Sequence, residues 1–278
     1  MKYLLISRFF CTFAEIIYGM RYSGSKAKIA KYIIPFIMKE LKPGNAYIEP
    51  FVGGCNVMDK VDWDWKIGYD LNSYVISMWS WIKSTESNVF PKYVSEEDYH
   101  KMKELADNNI SDKNKYPAWL IGYVGNACSY GSAWFNGYAH FNPKKNEDHI
   151  LEAWNGLTKQ IKKFKNLKNT CFVNKSYEDA LHYAYLYTCI DAKPGCVVYC
   201  DPPYRNTKGY GVEIFDHDKF WELVRHYSKL GVKIFVSEYE APDDFKCVWS
   251  MERKDGMSTT KTGIKQKTKV EKLFVYGG

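Results

Sequence analysis

The sequence predicts an α/β protein built on a mostly parallel sheet. Short β-rich runs alternate with helical patterns, and they do so in two blocks separated by a stretch of different composition. Bulk supports the same reading. The 278 residues, 46% hydrophobic and 17% aromatic, supply enough apolar surface for a packed core. They exclude global disorder, a collagen, a coiled coil and a disulfide miniprotein.

The first block runs from about residue 20 to 85. Ile29, Ile33, Ile37 and Leu41 recur at four-residue spacing, which predicts an amphipathic helix over 26–41, bent at Pro35. Strands follow at 46–50 (AYIEP) and 66–70 (KIGYD), then a helix near 73–84. The second block opens near 171 with CFVN. It continues through a helix at 176–188, the strand CVVYC at 196–200, a helix near 218–230 and a strand at 232–237. Strands near 245–249 and 271–276 bring the total to about seven.

Residues 86–165 differ. Polar helix-favouring stretches flank the aromatic, glycine-rich run GYVGNACSYGSAWFNGYAHFNP at 122–143, and a helix carrying Lys159, Lys162, Lys163 and Lys165 is expected after it. Neither flanking block has enough strands to close a core alone, so this region reads as an insertion.

The formal charge of +7 permits a polyanionic partner without establishing one. Cysteines at 11, 55, 128, 171, 189, 196, 200 and 247 form no Cys-x-x-Cys pair, which argues against a zinc ribbon and a disulfide framework. Cys171, Cys196 and Cys200 lie in apolar runs and are expected to be reduced core residues. In residues 1–19 the apolar run is broken by Arg8 and Glu15, and no stretch reaches the roughly eighteen uncharged residues of a membrane span. Met20 directly precedes the first motif, so residues 1–19 are expected to be a spurious extension or a dispensable arm.

Chemistry concentrates at strand ends. Asp201-Pro202-Pro203-Tyr204 follows CVVYC and holds the only Pro-Pro step among ten prolines. Two prolines cannot continue a ladder or freely start a helix, so the chain leaves the sheet in a stiff extended turn at the strand's carboxyl end. That is where open α/β sheets bind ligands. A carboxylate, proline carbonyls and an aromatic ring suit a planar exocyclic amine, which needs two acceptors and a stacking face. The plainer alternative is a rigid exit turn with a solvated aspartate. Glu49-Pro50-Phe51-Val52-Gly53-Gly54 ends the 46–50 strand, and its glycines let backbone approach a ligand or simply make a tight turn. Asp70, in Asp70-Leu71-Asn72, ends the next strand where a carboxylate can accept both hydroxyls of a ribose.

The order YSGSK (22–26), EPFVGG (49–54), DLN (70–72) and DPPY (201–204), with an insertion before the last, resembles the Dam-type (class D12) adenine-N6 DNA methyltransferases. Residues 20–85 and 170–240 carry the match. In the insertion, ACSYGSAWFNGYA resembles the recognition segment of phage-type relatives, with Ala133 and Ala139 where a basic residue is common. The resemblance implies a Rossmann-like seven-stranded methyltransferase fold using S-adenosyl-L-methionine. It assigns 20–85 and 166–278 to the catalytic domain and 86–165 to a mainly helical target-recognition region. Tyr22 and Lys26 match the amino-terminal motif whose lysine holds the methionine end of the cofactor. Glu49, Phe51 and Gly53 would wall the methionine moiety, and Asp70 would bind the ribose. Asp179 would contact the cofactor's adenine amine, or would simply cap a helix. Asp201 and the carbonyl of Pro202, stiffened by Pro203, would accept from the target amine while Tyr204 stacks on the base.

The implied reaction is direct in-line methyl transfer to a flipped-out adenine, with no covalent enzyme intermediate. No Pro-Cys step occurs, which speaks against a cytosine-C5 enzyme. Flipping costs a few kcal/mol, and stacking on Tyr204 recovers roughly 1–3 kcal/mol. A cytosine-N4 or RNA amino methyltransferase, or an inactive DNA-binding relative, are the alternatives. Double-stranded DNA is the expected partner, with no metal, no membrane and a monomeric state, in the cytoplasm of a bacterial or phage-infected cell. Arg253, Lys254, Lys261, Lys265, Lys267 and Lys269 would contact the DNA backbone with the insertion's lysines, or form a solvated loop. Tyr130, Trp134, Phe135 and Tyr138 would either touch DNA or pack the inserted helices.

Overall fold

The computed structural model describes residues 19–144, 146–189, 195–204, 215–254 and 268–278, with only the backbone described at 253, 254 and 268. The extension over 1–18, and Lys261, Lys265 and Lys267, lie outside the described residues, as do the side chains of Arg253 and Lys254.

Helix α1 (Ala30–Glu40) buries Ala30, Ile33 and Ile37, and Ile29 and Leu41 at its ends are buried too. It starts later than the periodicity predicts. Lys26 O accepts from the backbone N–H groups of Ile29 and Ala30, so 26–29 form turns and leave the Lys26 side chain at the sheet's edge. Strands β1 (Ala46–Glu49) and β2 (Lys66–Asp70) pair in parallel, and α2 (Ser73–Thr85) is capped by Asn72, whose side chain accepts from the N–H groups of Tyr74 and Val75. Residues 86–165 supply α3 (Glu96–Asp107), α4 (Ala118–Ala127) and α5 (His149–Lys163). Strand β3 (Thr170–Asn174), α6 (Tyr177–Cys189), β4 (Cys196–Cys200), α7 (His217–Lys229) and β5 (Lys233–Glu238) follow. The last two strands, β6 (Phe245–Lys254) and β7 (Thr268–Tyr276), are longer than expected because they form a long antiparallel ladder, with one register shift between Cys247 and Trp249.

The sheet order is β3-β2-β1-β4-β5-β7-β6, with β1 to β5 parallel and β7 antiparallel to both neighbours. This is the doubly wound order with one antiparallel strand set between the fifth and sixth, so the fold is Rossmann-like. Its topological switch point lies between β1 and β4. Alternation along the buried strands divides the core. Tyr47, Val197, Tyr199, Phe235 and Leu273 face α1 and the inserted helices, whereas Ala46, Ile48, Val198, Ile234 and Val236 face α6 and α7. The inserted helices share the first core, with α4 against α2. A Cβ on Gly122 of α4 would lie 2.1 Å from Tyr74 O, so only glycine permits that approach.

Cys171 corrects the sequence reading. It is exposed, because β3 is an edge strand, while Cys196 and Cys200 in the central β4 are buried as expected.

Candidate active site at the switch point

Period-two alternation fixes the site. Glu49 lies two residues beyond Tyr47 and Asp201 two beyond Tyr199, so both carboxyls stand on the α1 face at the carboxyl edge of adjacent strands. Glu49 is 3% exposed and accepts from Tyr47 Oη at 2.6 Å. Burial pushes its carboxyl up to about 8 despite that hydrogen bond, so it holds a proton at neutral pH. Asp201 is pushed up to about 6, again by burial, with the Lys26 ammonium pulling the other way.

Lys26 Nζ lies 2.9 Å from Asp201 Oδ1, donates to Gly24 O at 3.0 Å and stands 4.3 Å from the Tyr204 ring centroid. Burial lowers its pKa, but Asp201 and Glu271 outweigh that and raise it, so the ammonium stays charged. Asp201 Oδ1 is buried, and the group within reach of it is that ammonium, so an amine donor arriving in this corner would share or replace the lysine there.

Tyr204 is buried. Its hydroxyl donates to Glu271 Oε2 at 3.1 Å, and Tyr239 meets its ring edge-on at 4.6 Å. Glu271 and Tyr239 belong to no sequence motif and were not anticipated. They arrive because antiparallel β7 begins at the edge where β5 ends, pairing Lys272 with Glu238.

The second corner lies between β1 and β2. Asp70 Oδ2 accepts from Gly53 N–H at 3.0 Å and Oδ1 from Asn72 N–H at 2.9 Å. Burial raises its carboxyl, and the two backbone donors oppose the rise. Gly53 sits at φ 42, and a Cβ there would lie 2.8 Å from the Tyr22 ring, which covers the Gly53-Gly54 backbone. Gln160 of α5 donates to Gly54 O at 2.9 Å and accepts from Met20 N–H at 2.5 Å, tying the inserted region to this turn.

The remaining motif residues are farther out. Phe51 stacks on Tyr177 and packs edge-on to Phe215 and Phe220 on the other face of the sheet. Asp179 is exposed and forms a reciprocal cap with Ser176, accepting from its N–H and hydroxyl while Ser176 Oγ accepts from Asp179 N–H. In the insertion, Phe135 is buried, Trp134 stacks on Tyr74, and Tyr138 Oη donates to Val94 O at 2.6 Å. These three pack the inserted helices, and Tyr130 alone of the four is exposed, at 65%. Lys269 lies 5.8 Å from the Tyr239 ring.

Residues 22–260 match the D12 class N6 adenine-specific DNA methyltransferases. The chain belongs to that family. A DNA adenine methylase from Serratia marcescens is 24% identical over 201 residues, covering 66% of this chain and 66% of that enzyme, just under two thirds of its length. The retron Ec67 DNA adenine methylase of Escherichia coli is 26% identical over 233 residues, or 78% of this chain and 75% of its own. The type II methyltransferase M.FokI of Planomicrobium okeanokoites is 26% identical over 200 residues, 68% of this chain but 29% of that larger protein. Among solved structures, the rRNA methyltransferase aviRa of Streptomyces viridochromogenes aligns over 90% of this chain and 84% of its own, at 10% identity and a TM-score of 0.38.

Among the described residues, no helix is long and apolar enough to cross a membrane, and no group of three or more His, Cys, Asp or Glu side chains is placed to hold a metal ion.

Proposed function

We propose that this D12 family member transfers a methyl group from S-adenosyl-L-methionine to the N6 amine of adenine in double-stranded DNA, by direct in-line attack on a base turned out of the helix. The observation that carries the reading is Asp201. It is a half-buried carboxylate at the switch point of the sheet, starting the proline step, with its Oδ1 held at 2.9 Å by a single lysine that can be drawn off it.

The residues present fit the cofactor. Gly53 and Gly54 leave bare backbone where a Cβ would strike Tyr22, Asp70 stands at the lip of that turn, and Lys26 carries a charge that suits a carboxylate. Tyr22, Lys26, Glu49, Gly53 and Asp70 would hold it, with Asp179 at the rim; Phe51, packed against Tyr177, Phe215 and Phe220 on the other face of the sheet, would brace the turn instead of walling the cofactor. When bound, S-adenosylmethionine supplies the methyl group on a positively charged sulfur.

Asp201 does the remaining work with the turn it starts. An adenine amine is a poor nucleophile because its lone pair is delocalised into the ring. Accepting its protons at Asp201 and at the Pro202 carbonyl draws the nitrogen toward tetrahedral geometry and stabilises the positive charge that develops there, an effect on the order of 3–4 kcal/mol per preorganised partner. Asp201 also holds the proton the methylated nitrogen gives up. Tyr204 receives the base once the Lys26 ammonium is drawn off its ring. Residues 86–165 act as the target-recognition region, with exposed Tyr130 and the lysines of α5 toward DNA.

The test is methyl transfer from labelled S-adenosylmethionine to duplex DNA, followed by digestion to nucleosides and mass spectrometry. N6-methyladenine is expected. Label on cytosine N4, label on RNA only, or none, overturns the proposal.

A further inference from the structure

Tyr204 is held by a residue outside every motif of the site. Its hydroxyl donates to Glu271 Oε2 at 3.1 Å across 67 residues of sequence, and both side chains are buried, at 8% and 7% exposure. The placement follows from topology. Glu271 precedes core residue Leu273 by two positions on β7, so it faces the same side of the sheet as Tyr199 and Asp201. A glutamate buried in the middle of an antiparallel strand costs stability unless something is gained from it. What it contacts is the aromatic ring of the proline turn. Edge contact from Tyr239 at 4.6 Å and the Lys26 ammonium at 4.3 Å bound the same ring, and the Asp201 carboxyl also lies within reach of its hydroxyl.

We propose that Glu271 is a positioning residue for the reaction: by accepting the Tyr204 hydroxyl it fixes the ring plane on which the target base stacks. The inference rests on the adenine-methylating reading above. Glu271 acts on the base through the Tyr204 hydroxyl, and its charge also bears on Lys26 and Asp201.

The hydrogen bond can be removed from either end or conserved. Glu271→Ala and Tyr204→Phe each remove it, and Glu271→Gln keeps an accepting oxygen. We expect Glu271→Ala to lower kcat/KM for DNA about tenfold while the Kd for S-adenosylmethionine stays within about twofold. We expect Glu271→Gln to restore the rate to within about threefold of wild type. The double variant Glu271→Ala/Tyr204→Phe should be no slower than the worse single one, because both lose the same contact. Full activity of Glu271→Ala, a Glu271→Gln enzyme as slow as the alanine variant, or additive losses in the double variant would overturn the inference. If Glu271→Ala does not fold, Tyr204→Phe in the wild-type and Glu271→Gln backgrounds decides it. A tenfold loss in both supports the contact, and wild-type rates in both refute it. A wild-type protein that leaves duplex DNA unlabelled takes down the adenine reading and this inference together, whereas an active wild type beside an equally active Glu271→Ala removes only this inference.

Discussion

Asp70 and Asp201 end two parallel strands on one edge of the sheet, with β1 between them, and burial raises both carboxyls. They are held in opposite ways. Both oxygens of Asp70 accept from backbone N–H groups, at Gly53 and Asn72, so the turns themselves set its place. Asp201 is held by side chains from distant elements: its partner is the Lys26 ammonium before α1, and Glu271 on β7 charges the same corner. A carboxylate fixed by backbone suits a constant task such as gripping a ribose. One balanced between a lysine and a second carboxylate can change partners during a reaction. If Asp70 binds and Asp201 reacts as proposed, exposure and position do not separate the two carboxylates, whereas the identity of their donors does.

Substitutions should separate the two corners. Asp201→Ala is expected to cut methyl transfer by roughly 10²–10³ or more, with cofactor affinity little changed, since it removes an acceptor for charge that develops only in the transition state. Equilibrium binding and single-turnover rates measured on one preparation would show it. Asp70→Ala should do the reverse, weakening S-adenosylmethionine binding by about 10- to 100-fold, the worth of hydrogen bonds to a charged group, while the saturated rate changes less. Calorimetric titration checks this. Equal losses of binding and rate in both variants would erase the distinction.

Titration sharpens it further. With Asp201 pushed up to about 6, methyl transfer should fall as pH drops through about 6, where its carboxylate takes a proton. Lys26→Met removes the charge that holds that value down, so the acid limb should move to higher pH. An acid limb that stays in place in the variant would contradict the pairing.

Glu49 gives a stability signature of the same corner. Its carboxyl lies near 8 when folded against 4.5 for the ordinary group, so the native state keeps a proton that the unfolded chain releases. Its stabilising contribution is complete below about pH 4.5 and is lost as pH rises through about 8. Urea denaturation of wild type should therefore show stability declining across that window by several kcal/mol at most, and Glu49→Gln should flatten the slope. The smallest effect belongs to Asp179. Its reciprocal cap with Ser176 is exposed, and Asp179→Ala should lower the urea midpoint only slightly in the same experiment.

Much of this was legible in the sequence where local chemistry dictates structure. KIGYD and CVVYC form strands over the residues their β-rich runs predict, because turn-forming residues bound them on the outgoing side. The Pro-Pro step marks the turn after β4 for the same reason. Helix α4 was harder to read. Its ten residues are apolar on nearly every side, and two glycines lie within it, at 122 and 125, so it carries no amphipathic period. Those glycines are packing sites, against the α2 backbone at Tyr74 and against Trp134. Glu271 and Tyr239 were invisible for another reason. They reach the site through the antiparallel return of β7, and spacing along the chain says nothing about a contact 67 residues away. Lys66 shows the converse. It is a fully buried lysine that donates to Met58 O and Val61 O at 2.9 and 3.1 Å and also to Lys165 O. Burial lowers its pKa to about 8, and it braces loops rather than a substrate.

The most direct test concerns Asp201 alone. Purified Asp201→Ala protein, shown to be folded and loaded with labelled S-adenosylmethionine, is mixed with duplex DNA in a single turnover. The account predicts essentially no label on adenine N6 over a time in which wild type completes the transfer. Transfer at the wild-type rate would contradict it.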